Sequence, residues 1–338
     1  MQDRRRTGSH RGGDSTTAEH LVAGLEALGH EVLLTAEVPP DGADRFDAVH
    51  AWNIDRSIIT ETEDFVRAAR RARRRLVVTP IWWPLDDFVA ELLARERAIF
   101  RTKGLRVLRL FRERRWRVLR RLNVRQRAVL SAADMVCVSG PSEGHALQAR
   151  FGPLPIDLAH RAATDVRPET GPAQREGVLC VARLDPRKNQ LGLIEAMGRS
   201  GIPLRLVGTE ELLPSYAKAC REAAGPDVEF TGYLSPDELD AAYRSARVHV
   251  MPSWFELPGL TSFDAAAAGC CIVISTGGTA GDYFGRDAHY CGTDTASIRR
   301  SVLSAYEEGP IPGLAERIAS ECTWAATTDL YLNAYGIA

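Results

Sequence analysis

The chain of 338 residues is short of several things, and each shortage closes off a class of protein. Its formal net charge is only −1 although 26% of its residues are charged, so nothing global draws it to nucleic acid or another polyanion. Its cysteines, at 137, 180, 220, 270, 271, 291 and 322, include no C-x-x-C pair, which argues against a zinc or redox motif and against a disulfide framework. Most sit in apolar runs such as Met135-Val136-Cys137-Val138 and read as small buried hydrophobes of a reduced, cytoplasmic protein. No D-x-D triplet occurs, so that metal signature is missing. The longest apolar run, 265–274, contains Gly269 and is too short to cross a bilayer. The opening MQDRRRTGSHRGGD has no apolar stretch behind its arginines and is no signal peptide. Internal repeats and low-complexity segments are also lacking.

What the chain does have is length for two ordinary domains and, in its second half, a clean alternation of strand and helix. Val178–Ala182, Leu204–Val207, Val228–Phe230, Val248–Met251 and Cys271–Ile274 read as strands. Helices are predicted over Gln190–Arg199, Leu212–Ala224 and Thr295–Glu307, and Ser235-Pro236-Asp237-Glu238 is a capping box with proline at the first helical position. Such alternation builds a parallel sheet covered by helices, and ligands bind at the C-terminal ends of its strands. Arg183 and Lys188 follow the first of these strands. Arg offers a planar fork and Lys a compact charge, and both suit a diphosphate.

The most informative stretch is Pro252 to Ser275. Glu256 and Asp264 flank a loop, Leu257-Pro258-Gly259-Leu260, that runs into a small-residue helix stopped by Gly269. One acid stands before the helix and the other about one turn inside it. The helix N-terminus presents unpartnered N–H groups and partial positive charge, which suits a phosphate, with the carboxylates gripping hydroxyls on either side. By itself the pair also fits a capped, solvated helix start.

Taken together, Pro252-Ser253, Glu256, Gly259-Leu260, Asp264, the alanine run and Gly269 resemble the signature of glycosyltransferase family 4, the retaining enzymes of the GT-B fold. Arg183 and Lys188 match that family's R-x4-K pair in register upstream. The resemblance runs from Gly12 to the C-terminus and is strongest over 178–307. It implies two Rossmann-like domains facing across a cleft: an acceptor-side domain at 1–167, a linker at 168–176 (polar, with Pro and Gly), a nucleotide-sugar domain at 177–320, and a C-terminal helix at 321–338 packing back on the first domain. It further implies glycosyl transfer from a nucleoside-diphosphate sugar to a small-molecule or glycan acceptor, with retention at the anomeric carbon and without a metal or other cofactor. Arg183, Lys188 and Glu256 would carry the chemistry, Glu256 holding the donor sugar and Asp264 the ribose. Leu257, Gly259, Leu260, Thr261 and Tyr233 complete the donor set. Gly12-Gly13, before a helix whose Ala18, Leu21, Val22, Leu25 and Leu28 repeat at helical spacing, would face donor and acceptor. The same fold hosts nucleotide-sugar epimerases and phosphorylases, and a non-catalytic nucleotide-sugar binding protein is a further alternative.

Departures from the pattern are visible. Asp264 replaces the usual Glu, and no His stands in Pro80-Ile81-Trp82-Trp83-Pro84, where the family often places one. Trp82 and Trp83 read there either as an acceptor platform or as two core tryptophans. His160 to Asp165 replaces an Asn-Gly turn. Strands are expected at 31–35, 47–52, 76–79 and 134–139, with helices at 57–74 and 141–151, but residues 1–10 are too polar to supply the central first strand. Either the start lies downstream of the native one, which is the favoured expectation, or the domain is built without that strand. The arginine-dense stretch Arg95–Arg127, threaded with Leu105, Leu108, Phe111, Trp116, Leu119 and Leu122, reads as a solvated face or as a helix in weak contact with an anionic membrane, peripheral to its inner face.

Overall fold

The computed structural model describes residues 1–2, 13–86, 88, 90, 120–158, 166, 175–211 and 213–337. The chain divides into two compact units: Asp14–Ala159 with Thr328–Ala338 belong to one, and His160–Thr327 to the other.

In the first unit the strands β1 (Ala48–Trp52), β2 (Arg75–Thr79), β3 (Met135–Val138) and β4 (Ile156–Leu158) form one parallel sheet in the order β1-β2-β3-β4. Their runs, AVHAW, RLVVT and MVCV, are apolar almost throughout because helices cover both faces. On one face Phe65 and Ala69 of helix Ile59–Arg71 and Leu147 and Phe151 of helix Pro141–Phe151 pack on Leu76, Val78 and Val136. On the other, Leu21 and Leu25 of helix Gly13–Ala27 meet Trp52, Val77 and Cys137, together with Tyr331 and Tyr335 of the last helix, Trp324–Tyr335. There the buried imidazole of His50 spans Tyr335 Oη at 2.7 Å and Thr79 Oγ1 at 2.8 Å.

Residues 31–35 do not form a strand; Thr35 makes only an isolated parallel bridge, to Gln2. Met1 and Gln2 lie beside β1: the Met1 ammonium donates to Leu33 O (2.8 Å), Thr35 N to Met1 O (3.1 Å) and Gln2 N to His50 O (2.9 Å). The buried Gln2 amide also accepts from Trp52 N at 2.8 Å. Two residues thus pair on both sides where a first strand would run. Of the stretch Arg95–Arg127, residues 95–119 lie outside the described residues, as do Gly12 and residues 168–174 of the expected linker. Residues 120–131 are helical, and Arg125 forks onto Glu63 with both contacts at 2.7 Å, which holds that carboxyl below its ordinary range.

The second unit is built on β5 (Glu176–Val181), β6 (Leu204–Val207), β7 (Val228–Gly232), β8 (Ala246–Met251), β9 (Cys271–Ser275) and β10 (His289–Cys291). All pairs are parallel and the order is β10-β9-β8-β5-β6-β7. This is the doubly wound arrangement, in which strand order reverses between the first and fourth strands of the domain, here β5 and β8. Alternate residues serve opposite faces: Ile272 and Ile274 join one core cluster, Cys271 and Val273 the other. Helix Pro236–Ser245 starts with the full capping box, Ser235 Oγ accepting from Glu238 N while Glu238 accepts from Ser235 N. All seven cysteines are buried and none forms a disulfide, and burial pushes the thiols of Cys180, Cys270 and Cys291 up to about 12.

Candidate active site

The reversal point of the second sheet is where the charged residues gather. After β5 the chain enters a 3₁₀ turn, Pro186–Lys188, capped by Asp185, whose carboxylate accepts from Arg187 N at 2.9 Å. The same carboxylate lies 3.6 Å from Arg183 Nη2. The turn aims Lys188 across the gap to β8, and its Nζ donates to Glu256 Oε1 at 2.6 Å. Both side chains are largely withdrawn from water, at 19% and 9% exposure, so the pair is little screened.

Glu256 is held from behind by a glycine pair. Its N donates to Gly277 O (3.2 Å) and its O accepts from Thr279 N (2.8 Å), making a bridge between Glu256 and Gly278. A Cβ at Gly277 would fall 2.2 Å from Trp254 O, and one at Gly278 would fall 2.0 Å from Glu256 O. Only glycine admits backbones this close. Gly259, with φ +91°, then turns the chain into helix Leu260–Ala267. Leu257, Leu260 and Thr261 are half-buried around that turn, and half-buried Asp264 stands one turn further in, its carbonyl accepting from Ala268 N.

Buried polar atoms without a partner recur along this strand edge: Arg183 Nε, Ser253 Oγ after β8, Ser275 Oγ at the end of β9, and Ser262 Oγ in the helix. Buried polar groups are ordinarily satisfied, so an unsatisfied set marks a place for water or ligand. Tyr233 leaves the end of β7, the edge strand, on the same C-terminal side and is 77% exposed.

The structure therefore brings Arg183, Lys188, Glu256, Gly259, Leu260, Thr261 and Asp264 to one end of one sheet. Gly13 opens helix Gly13–Ala27 and is exposed. Trp82 and Trp83 belong to the first unit, where both are half-buried. The Trp82 ring packs edge-on against Phe151 at 5.1 Å and is part of the core packing, while the backbone N–H of Trp82 donates to Glu143 Oε1 at 2.8 Å. Fully buried Glu143 also accepts from Ser139 N and Oγ, both at 2.7 Å, and fixes the loop after β2 to the loop after β3. Sequence reading singled out neither Glu143 nor the Gly277-Gly278 pair. The only early sign of the second was a double glycine just past a buried strand.

Comparison with known proteins agrees with this geometry. The family described as Glycosyl transferases group 1 matches residues 175–308. A glycogen synthase of Mycobacterium tuberculosis is 31% identical over 185 residues, 52% of this chain and 43% of that protein. A GDP-mannose-dependent alpha-(1-6)-phosphatidylinositol monomannoside mannosyltransferase of the same species is 33% identical over 144 residues, 39% of this chain and 36% of that one. The chain thus spans less than half the length of these curated relatives. Among solved structures, sucrose-phosphate synthase from Thermosynechococcus elongatus superposes with TM-score 0.72 at 18% identity, covering 97% of this chain and 95% of its own. Anabaena HepE, solved with UDP and glucose, gives 0.68 at 14% identity with 96% of both chains covered. Residues 175–308 thus resemble the group 1 glycosyltransferases, and the chain shares the GT-B fold of these solved structures.

Proposed function

We propose that the protein transfers a sugar from a nucleoside-diphosphate sugar to an acceptor hydroxyl, with retention at the anomeric carbon. The observation that carries this reading is the Lys188–Glu256 contact, 2.6 Å long, at the reversal point of the sheet and one loop ahead of a helix N-terminus. A diphosphate leaving group needs positive charge where negative charge develops. Arg183, Lys188 and the N–H groups opening helix Leu260–Ala267 supply it from the chain itself, and on this reading turnover survives chelation of metals. Glu256 would hold hydroxyls of the donor sugar, and Asp264 those of the ribose.

In the step itself, the acceptor oxygen bonds to the anomeric carbon on the face that the diphosphate leaves. The carbon–oxygen bond to the diphosphate breaks, and its phosphate oxygen takes the acceptor proton. No separate base is required. The acceptor is read as a sugar or other hydroxyl compound on the first domain.

The donor panel is UDP and GDP, which the names of a neighbour and a relative print, with ADP added as a third nucleoside diphosphate, followed by their sugar conjugates. One of the three is expected to raise the melting temperature, since a ligand at a hundred times its Kd stabilises by about 2.7 kcal/mol. Product analysis then distinguishes a new glycoside from an epimerised donor. If none of the three stabilises the protein and no conjugate is consumed, the proposal fails.

A further inference from the structure

Asn189 is placed in an unusual way. It is 2% exposed and left-handed (φ +57°, ψ 32°), a region that asparagine tolerates better than most residues. It stands at the N-cap of helix Gln190–Met197, where an asparagine side chain ordinarily accepts from the first N–H groups, yet it makes no such bond. Its Nδ2 donates instead to Pro252 O at 3.3 Å and to Thr293 O at 2.9 Å. Those carbonyls lie just past β8 and just past β10. One carboxamide therefore ties together the loops that follow β5, β8 and β10. A second tie runs beside it, from Trp254 N to Arg187 O at 2.9 Å.

The slot holding this carboxamide depends on residue 192. A Cβ at Gly192 would sit 2.7 Å from Asn189 Oδ1 and 3.1 Å from its Cγ and Nδ2. Glycine inside a helix is otherwise unfavourable, and here it leaves room for the Asn189 side chain.

We infer that Asn189, seated in the space left by Gly192, is a positioning residue that fixes how far Lys188 stands from Glu256. This rests on the reading of Lys188 as a diphosphate contact and Glu256 as a sugar contact. The donor spans both, so the lock sets the alignment of the leaving group against the sugar. Asn189 itself touches neither reacting group. Loss of the lock leaves each contact able to form but no longer in register, and a misplacement of about 1 Å can cost about 10²-fold in rate.

The test is a double-mutant cycle on the full chain, with UDP-glucose and GDP-mannose as donor probes. Release of UDP or GDP gives kcat, and calorimetry gives affinity for the free nucleotide. Asn189→Gly keeps the backbone conformation and removes the carboxamide, while Gly192→Ala keeps the carboxamide and displaces it. Each is expected to lower kcat by about 10- to 10²-fold while nucleotide affinity stays within about threefold, the pattern of an interaction made in the transition state. Combined, they should be no worse than Asn189→Gly alone, because the new methyl group then has nothing to displace. Asn189→Asp, which turns an oxygen toward two carbonyls, should fall below Asn189→Gly. Wild-type kcat in Gly192→Ala, multiplying losses in the double variant, or parallel loss of kcat and nucleotide affinity would each overturn the inference. If the wild type binds neither UDP nor GDP and releases nothing from either donor, the donor-site reading falls first and the inference falls with it.

Discussion

His249 lies in β8, the strand that delivers Glu256, and is fully buried with both ring nitrogens unpartnered. The Tyr243 ring stands edge-on to it at 6.1 Å and offers no acceptor in reach. Burial alone lowers its pKa from 6.5 to about 3. A folded-state pKa below the unfolded one means that the unfolded chain takes up a proton that the native chain refuses. Stability from this residue is therefore intact above pH 6.5, falls as pH drops from 6.5 towards 3, and falls no further below that. Each pH unit within the window is worth about 1.4 kcal/mol, so the 1.5 units between 6.5 and 5.0 amount to about 2 kcal/mol. His249→Leu removes the titration and two buried polar atoms at similar volume. The variant should be at least as stable as wild type at pH 7.5 and gain about 2 kcal/mol on it by pH 5.0. Urea unfolding at several pH values, read by circular dichroism, measures the difference, in which other titrating groups cancel. Parallel stability–pH profiles for the two proteins would refute the reasoning, because a neutral native imidazole would then have no unfolded-state cost to reveal.

Three further outcomes follow from the proposed donor site. Lys188→Ala and Arg183→Ala should each lower turnover by about 10²- to 10³-fold, but only Lys188→Ala should also lower the melting temperature, since it strips Glu256 of its ammonium partner; equal melting temperatures would show that the ion pair is dispensable for folding. Gly278→Ala, whose methyl would meet Glu256 O at 2.0 Å, should lose both stability and turnover, which thermal melts and initial rates would report. Asp264→Ala should raise the donor KM more than it lowers kcat and should abolish the affinity difference between a ribonucleotide and its 2′-deoxy analogue; a deoxy penalty surviving in the variant would remove Asp264 from the ribose.

Much of the second unit was legible because parallel strands buried on both faces are written as unbroken apolar runs. Ile272–Ile274 and Val178–Val181 are such runs, and glycines and capping residues mark their neighbours. That Arg183, Lys188, Glu256 and Asp264 gather at one end of the sheet was legible too, since their spacing follows from strand ends and turns within one domain. Harder to read was what depends on distant backbone. Ile156–Leu158 is only three residues long and is recognisable as a strand through its pairing with β3. Thr35 is held by an isolated bridge to Gln2, 33 residues away, which no local pattern announces. Asn189 looks like an ordinary helix cap until Pro252 and Thr293, 63 and 104 residues away, turn their carbonyls towards it. Glu143 looks like a first-turn acid until Trp82 N is found on its carboxylate.

The burial of every cysteine has a use beyond packing. Thiolate is the reacting form, and thiols held near 11 or 12 inside a packed core offer almost none of it to solvent. In the folded protein an aromatic disulfide reagent should find no target, so any thiol that does react reports a molecule that has opened. The rate of colour development then becomes a clock for local unfolding, read without any label. The same silence gives a blank background for a single introduced cysteine, at exposed Tyr233 for instance, whose modification by a fluorophore would report directly from the strand edge where the nucleotide is proposed to lie.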